Sequence, residues 1–265
     1  MLLTVDIGNT NIVLGLFAAD RGRGCNDADL VYDWRMRTDA RMTADEMALT
    51  VRGLLGDYSG KITGIAALST VPALLRELKV MVDRYWPQLP RVIVEPGVRT
   101  GVPLHYDNPR ELGADRIVNT LAAFTLYGGP AIVVDFGTST NFDVISERGE
   151  FLGGALAPGI EISIDALASR AAQLLKVQLV RPRSVIGKST VEALQSGLLF
   201  GFAGQVDGLV QRIAAELAPG AEADVVVVAT GGLAPLLIAE SQTITHHAPH
   251  LTLRGLRMVF ERNIS

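Results

Sequence analysis

Cysteine is almost missing from this 265-residue chain: Cys25 is the only one. No intrachain disulfide can form, which fits a reducing compartment. In its polar Gly-Asp-rich stretch Cys25 also has no neighbouring base to activate it as a nucleophile. An excess of basic residues is missing too, since the net charge is −4. The pairs Arg181/Arg183 and Arg254/Arg257 are short and interleaved with apolar residues, so they read as solvated faces and not as a nucleic-acid footprint. Long apolar runs are lacking as well. No stretch of about 20 apolar residues escapes a charge or a turn, which argues against a helical membrane span. The opening run Met1–Val5 ends at Asp6, short of a signal-peptide core. The expectation is a soluble cytoplasmic protein with neither nucleic acid nor membrane as partner.

What the chain does have is core material. It is 48% hydrophobic and 20% charged, enough for a large buried interior and unlike a disordered chain. Its length suits one large domain or two of about 130 residues. Leu2–Ile7 reads as a strand, turning at Gly8-Asn9 into a second strand through Leu16. The loop Arg21–Asp29 leads to a third near Val31–Arg37. Thr43-Ala-Asp-Glu46 has capping-box spacing and opens a helix to about Leu55. Ile62–Leu68 is a strand, Pro72 to Tyr85 a helix, Arg91–Val94 a short strand, and Glu95–Pro109 a rigid proline-bearing loop. A helix follows Gly113.

At Ala131 the pattern starts again. Ala131–Asp135 is a strand, Gly137-Thr138 a turn, and Asn141–Ser146 a strand. A glycine-rich passage (Gly149–Gly159), helical segments at 160–175 and 189–217, a strand at Asp224–Ala229 and a helix at Arg254–Glu261 complete the chain. Val5-Asp-Ile-Gly-Asn-Thr10 and Val134-Asp-Phe-Gly-Thr-Ser139 share one layout: an apolar strand ending in Asp, one apolar residue, Gly, then two small polar residues. Self-similarity at half the chain length predicts an α/β fold of two related domains facing each other across a cleft, 1–115 and 116–265.

Such a hairpin has a chemical use. Glycine lets backbone N–H groups approach an anion, as Gly8 and Gly137 could. Asn9, Thr10, Thr138, Ser139 and Thr140 add neutral donors, and Asp6 and Asp135 offer charge to a cation. A single Asp-x-Gly-Asn is also an ordinary turn; two in register favour the ligand reading. Val225–Ala229 running into Thr230-Gly231-Gly232 suits a flat nucleoside, though alone it too is a turn. Gly187-Lys188-Ser189 is not a P-loop, because Pro182 stands where the first glycine belongs. Thr190 opens the long helix and could simply cap it. Gly113-Ala-Asp-Arg116 puts Asp115 near a helix N-terminus, where the dipole favours the ionised form, and Arg116 beside it could clamp a carboxylate or phosphate. By itself that segment is also a plain helix start. His246, His247 and His250 lack the companions of a metal set and read as a surface loop, as does His105.

Together these motifs resemble the type III pantothenate kinases. Asp6-Ile-Gly-Asn-Thr10, Gly113-Ala-Asp-Arg116, Asp135-Phe-Gly-Thr138, Gly153-Gly-Ala-Leu-Ala-Pro-Gly159, Gly187-Lys-Ser-Thr190, Thr230-Gly-Gly232 and Leu251–Asn263 match in order along essentially the whole chain. The resemblance implies the actin/Hsp70/hexokinase-like fold of duplicated ribonuclease-H-like domains and a homodimer. It implies phosphorylation of pantothenate to 4'-phosphopantothenate, opening coenzyme A synthesis, with ATP, Mg²⁺ and a monovalent cation, K⁺ or NH₄⁺. By the same resemblance Asp6, Ile7, Gly8, Asn9, Thr10, Asn11, Ile12 and Val13 form the first ATP loop, with Asp6 guiding Mg²⁺ through water. Asp115 is the catalytic base; Gly113, Ala114, Asp115, Arg116, Tyr106 and Thr190 line the pantothenate site. Asp135 holds the monovalent cation and Thr138 touches ATP. Asn141 departs from the family, which often has threonine there. Two other readings keep the fold: a kinase for another small acid or sugar, and an ATP-binding regulatory or scaffold protein.

Overall fold

Two five-stranded sheets of one topology underlie the repeat. The computed structural model describes residues 1–18, 29–170 and 177–264, so Cys25 and all of the Arg21–Asp29 loop except Asp29 lie outside the described residues. Strands β1 (Leu2–Ile7), β2 (Asn11–Phe17) and β3 (Leu30–Arg37) form an antiparallel meander. Helix α1 (Ala44–Leu55) then leads to β4 (Gly64–Ser69), parallel to β1, and α2 (Pro72–Tyr85) to β5 (Arg91–Ile93), parallel to β4. The order is β3-β2-β1-β4-β5. After α3 (Ala114–Tyr127), β6 (Ala131–Phe136), β7 (Ser139–Ile145) and β8 (Phe151–Pro158) repeat the meander. Then come α4 (Ile160–Arg170), α5 (Thr190–Leu217), β9 (Val226–Thr230), α6 (Ala234–Ile238), β10 (His246–His247) and α7 (Leu251–Asn263). The second sheet runs β8-β7-β6-β9-β10, with β9 parallel to both β6 and β10.

Each sheet buries one face under helices. Leu3, Val5, Ile7, Ile12 and Leu14 pack against Met47 and Val51 of α1 and Leu74, Leu78 and Met81 of α2. Ile132, Val134, Phe136 and Phe142 do the same with Leu198, Leu199 and Val206 of α5. Burying such side chains contributes about 1.5–3 kcal/mol each. The capping box is present: Thr43 Oγ1 accepts from the Glu46 N–H at 3.3 Å, and Glu46 Oε2 accepts from the Thr43 N–H at 2.8 Å. No helix of the described residues is long and apolar enough to cross a membrane.

Packing does not follow chain order throughout. One unit comprises Met1–Val102, Asp107–Ala122 and Leu251–Ser265; the other comprises Pro103–Tyr106 and Ala123–His250. The last helix joins the first unit because it lies on the free face of β1 and β4. Gly15 and Gly64 leave room there for Leu253 and Phe260, since a Cβ on either glycine would overlap those side chains. Arg257 of α7 is buried in an ion pair with Asp29 at 3.0 Å.

Three readings from the sequence are corrected. Arg254 and Arg257 are not a solvated face, because α7 packs on the first sheet and leaves each only 7% exposed. The glycine-rich passage 149–159 contains a full strand, β8. Glycine disfavours strands, but here Gly154 is required because a Cβ would run into the Phe142 carbonyl of the neighbouring strand. The histidine segment is not wholly loop: His246 and His247, both exposed, pair with Val228 and Ala229 as a short edge strand.

Candidate active site

The first hairpin closes between β1 and β2. Gly8 donates its N–H to the Asn11 carbonyl at 2.9 Å, which leaves Asn9 and Thr10 at an exposed tip. Asp6, half-buried, lies on the sheet face opposite the core residues Val5 and Ile7. The back of the turn is held by neighbours. Thr38, just past β3, donates its hydroxyl to the Gly8 carbonyl at 2.7 Å and its N–H to the Thr10 carbonyl at 2.9 Å. Thr70, just past β4, donates its N–H and its hydroxyl to the Ile7 carbonyl at 2.9 and 3.3 Å. These braces escaped the sequence reading; their only signal is a hydroxyl-bearing residue at the end of each flanking strand.

The second hairpin is one residue tighter. Asp6 pairs with Val13, whereas Asp135 pairs with Asn141. Gly137 donates to the Ser139 carbonyl at 3.0 Å, so Thr138 alone makes the tip. Ser139 donates its hydroxyl to Asn141 Oδ1 at 2.6 Å, which commits both side chains to each other. Thr140 is no ligand donor: it is 1% exposed, on the strand face it shares with the core residue Phe142. Around this turn the flanking strands β8 and β9 are each followed by glycine. A Cβ on Gly159 would overlap the Gly137 and Thr138 carbonyls, and one on Gly231 would overlap the Phe136 carbonyl and Asp135 Oδ1. Both glycines thus let the backbone pack directly against carbonyl oxygens, and Gly231 against a carboxylate as well. That donor set suits a hard monovalent cation.

Asp115 lies in the first turn of α3. Its carboxylate folds back over Gly113, where a Cβ would collide with Oδ1, so glycine is needed two residues before it. Desolvation pushes the carboxyl above its ordinary value. Hydrogen bonds from the Arg116 and Asp115 backbone and the Arg116 charge pull the other way without cancelling it. Sequence reasoning from the helix dipole foresaw only the ionised form, not the raised pKa. Arg116, next to Asp115, is a buried residue, 8% exposed.

Tyr106 is held onto the second sheet. Leu104 bridges Phe151 in parallel, Phe151 donates to the Pro103 carbonyl and His105 donates to the Phe151 carbonyl, both at 2.9 Å. The Tyr106 ring meets Phe151 edge-on at 5.8 Å, beside Gly153. Thr190 is exposed at the first position of α5; Ser189 is the cap, accepting from the Glu192 N–H at 3.2 Å. The structure therefore groups Asp6–Val13 and Gly113–Arg116 in one unit and Tyr106, Asp135, Thr138 and Thr190 in the other.

Two ribonuclease-H-like sheets, each opening on an Asp-Gly hairpin, define the fold class shared by actin-like ATPases and sugar kinases. Solved structures agree on the fold. The activator of 2-hydroxyisocaproyl-CoA dehydratase from Clostridium difficile, with bound ADPNP, superposes with a TM-score of 0.56 at 13% identity, covering 98% of this chain and 94% of that one. An inorganic polyphosphate/ATP-glucomannokinase from Arthrobacter sp. strain KM gives 0.51 at 12% identity, covering 98% of each. Within that class the assignment is narrower. The type III pantothenate kinase family model matches residues 2–212. Type III pantothenate kinases from Saccharopolyspora erythraea and Rhodococcus opacus are 70% and 66% identical over 263 residues, covering 99% of this chain and 99% and 96% of theirs. The chain belongs to the type III pantothenate kinase family, enzymes that phosphorylate pantothenate in coenzyme A biosynthesis.

Proposed function

We propose that this chain transfers the γ-phosphoryl group of ATP to the hydroxyl of pantothenate, with Asp115 as general base. The observation that carries the role of Asp115 is its carboxylate in the first turn of α3, folded back over Gly113, where desolvation raises its pKa. A carboxylate that holds a proton more tightly is a better acceptor at neutral pH. The pantothenate oxygen attacks the γ-phosphorus, the bond to the β-phosphate oxygen breaks, ADP leaves, and the hydroxyl proton passes to Asp115. Positioning and charge neutralisation carry most of the rate in such transfers.

In this reading Asp6 to Val13 cradle the ATP phosphates and Thr138 adds a contact. Asp6 holds Mg²⁺ through water, and the metal supplies charge neutralisation when bound. Asp135, with the Phe136, Gly137 and Thr138 carbonyls beside Gly231 and Gly159, would hold K⁺ or NH₄⁺. Gly113, Ala114, Arg116, Tyr106 and Thr190 contact pantothenate, Arg116 matching its carboxylate. The duplicated halves run 1–115 and 116–265, α7 crossing back to pack on the first sheet. The enzyme works in the cytoplasm as a homodimer; apolar Leu156, Val185 and Ile186, 63%, 65% and 78% exposed, are surface that a partner copy would cover.

ADP release is the test, measured with ATP, Mg²⁺ and K⁺, with and without pantothenate. Pantothenate-dependent release is expected, falling when Na⁺ replaces K⁺. Release no higher than the pantothenate-free control would overturn the assignment, and equal rates in K⁺ and Na⁺ would remove the cation role of Asp135.

A further inference from the structure

Thr38 lies outside every motif that suggested the reaction, yet it makes two hydrogen bonds to the turn that carries the first of them. Its hydroxyl donates to the Gly8 carbonyl at 2.7 Å and its N–H to the Thr10 carbonyl at 2.9 Å. Thr70 occupies the Ile7 carbonyl, and the Gly8 N–H occupies that of Asn11. Four carbonyls of the segment Ile7–Asn11 are thereby engaged by named donors.

The consequence follows from peptide geometry. A trans peptide unit is planar, with its C=O and the next N–H pointing in opposite directions. Drawing the Gly8 carbonyl onto Thr38 therefore turns the Asn9 N–H away from Thr38, outward at the exposed tip. If that peptide flipped, an oxygen would stand where a phosphate oxygen is to be bound. Backbone donors attract anions only when aimed in advance.

We propose that Thr38 is a positioning residue for the nucleotide: its hydroxyl locks the Gly8–Asn9 peptide with the N–H edge toward the ATP phosphates. This rests on the reading that the first hairpin holds those phosphates. The backbone bond from Thr38 to Thr10 survives substitution by any residue but proline, so the hydroxyl alone can be removed. Thr38→Val keeps the shape and deletes the donor; Thr38→Ser keeps the donor.

The measurement is KM for ATP and for pantothenate, together with binding of MgADPNP by calorimetry, on the full-length enzyme. Thr38→Val should weaken ATP and ADPNP about five- to tenfold, the scale of one hydrogen bond. It should leave the pantothenate KM within about twofold, and Thr38→Ser should recover the wild-type ATP value. An unchanged ATP KM in Thr38→Val, an equal rise in both KM values, or a serine variant no better than valine would overturn the proposal. If the valine variant is insoluble, Thr38→Ala is read by the same criteria. Asn9→Asp, which puts a negative charge at the tip, separates the two levels. If it leaves the ATP KM unchanged, the hairpin reading falls and the proposal with it; if it raises the ATP KM while Thr38→Val does not, only the proposal falls.

Discussion

In the first unit the hairpin is flanked by hydroxyl-bearing residues, Thr38 after β3 and Ser69 and Thr70 at the end of β4. Strand registers put Gly159, Gly231 and Gly232 at the same positions of the second unit. The difference reverses what each turn can present. Where hydroxyls and amides occupy the carbonyls from behind, N–H groups face outward, an arrangement suited to an anion. Where glycines stand, the backbone packs directly against the Phe136, Gly137 and Thr138 carbonyls and the Asp135 carboxylate, a gathering of oxygens suited to a cation. A duplicated fold has thus been specialised at the strand ends while its sheet topology was left alone.

If the hairpins only bind, proton transfer must lie elsewhere, and Asp115 is where to break the comparison. Asp115→Asn should lose about 10²–10⁴-fold in kcat, the usual weight of a general base, with MgADPNP affinity retained. A variant near wild-type turnover would return the chemistry to the hairpins. The acid side of the pH profile gives the same test without mutation. A general base works only when ionised, and desolvation raises the pKa of Asp115. The rate should therefore fall on acidification at a midpoint above the ordinary carboxylate range, and that limb should vanish in Asp115→Asn.

Exchanging residues between the two hairpins is the next largest test. Gly231 has φ +92°, and a Cβ there would overlap the Phe136 carbonyl and the Asp135 carboxylate. Gly231→Ala should cost about 1–3 kcal/mol or more of stability by chemical denaturation and abolish K⁺ dependence. Ser69→Gly, at the matching position, should cost about 1 kcal/mol or less. Equal costs would mean that the glycines are incidental and that the contrast between the turns is not functional.

Much of the first unit was legible because its signals are local. The Asp6-Ile-Gly8 turn and the Thr43–Glu46 box each lie within a few residues, and the repeat at Val134 exposed the duplication. What stayed hidden depends on distant strands. Thr38 is 30 residues from Gly8, and only the β2–β3 register brings them together. Gly159 looked like loop composition because the reason for it is the carbonyls of the Gly137-Thr138 turn, about 20 residues away in sequence. The tighter second turn could not be seen either, since the two motifs align through their first strand and diverge only in pairing. Asp115 shows the limit from the other side: the dipole of its own helix is a local effect, and desolvation by packed neighbours outweighs it.

The smallest expected effect guards the comparison against a trivial explanation. Thr43 follows Thr38 by five residues and caps α1, so loosening there could in principle disturb the brace. Thr43→Ala should cost about 0.5–2 kcal/mol, lowering Tm by about 2–4 °C for each kcal/mol. Glu46 is held below its ordinary carboxyl value, first by the Thr43 backbone N–H and then by its hydroxyl. Its contribution is therefore present at neutral pH and is lost as pH falls through that lowered value, so the variant should lose less stability on acidification than the wild type. The ATP KM should not move, because the bonds from Thr38 to Gly8 and Thr10 do not involve Thr43. A rise in ATP KM as large as that of Thr38→Val would mean that the whole β3–α1 connection holds the loop. The contrast between the two hairpins would then be one of local stability, not of aimed donors.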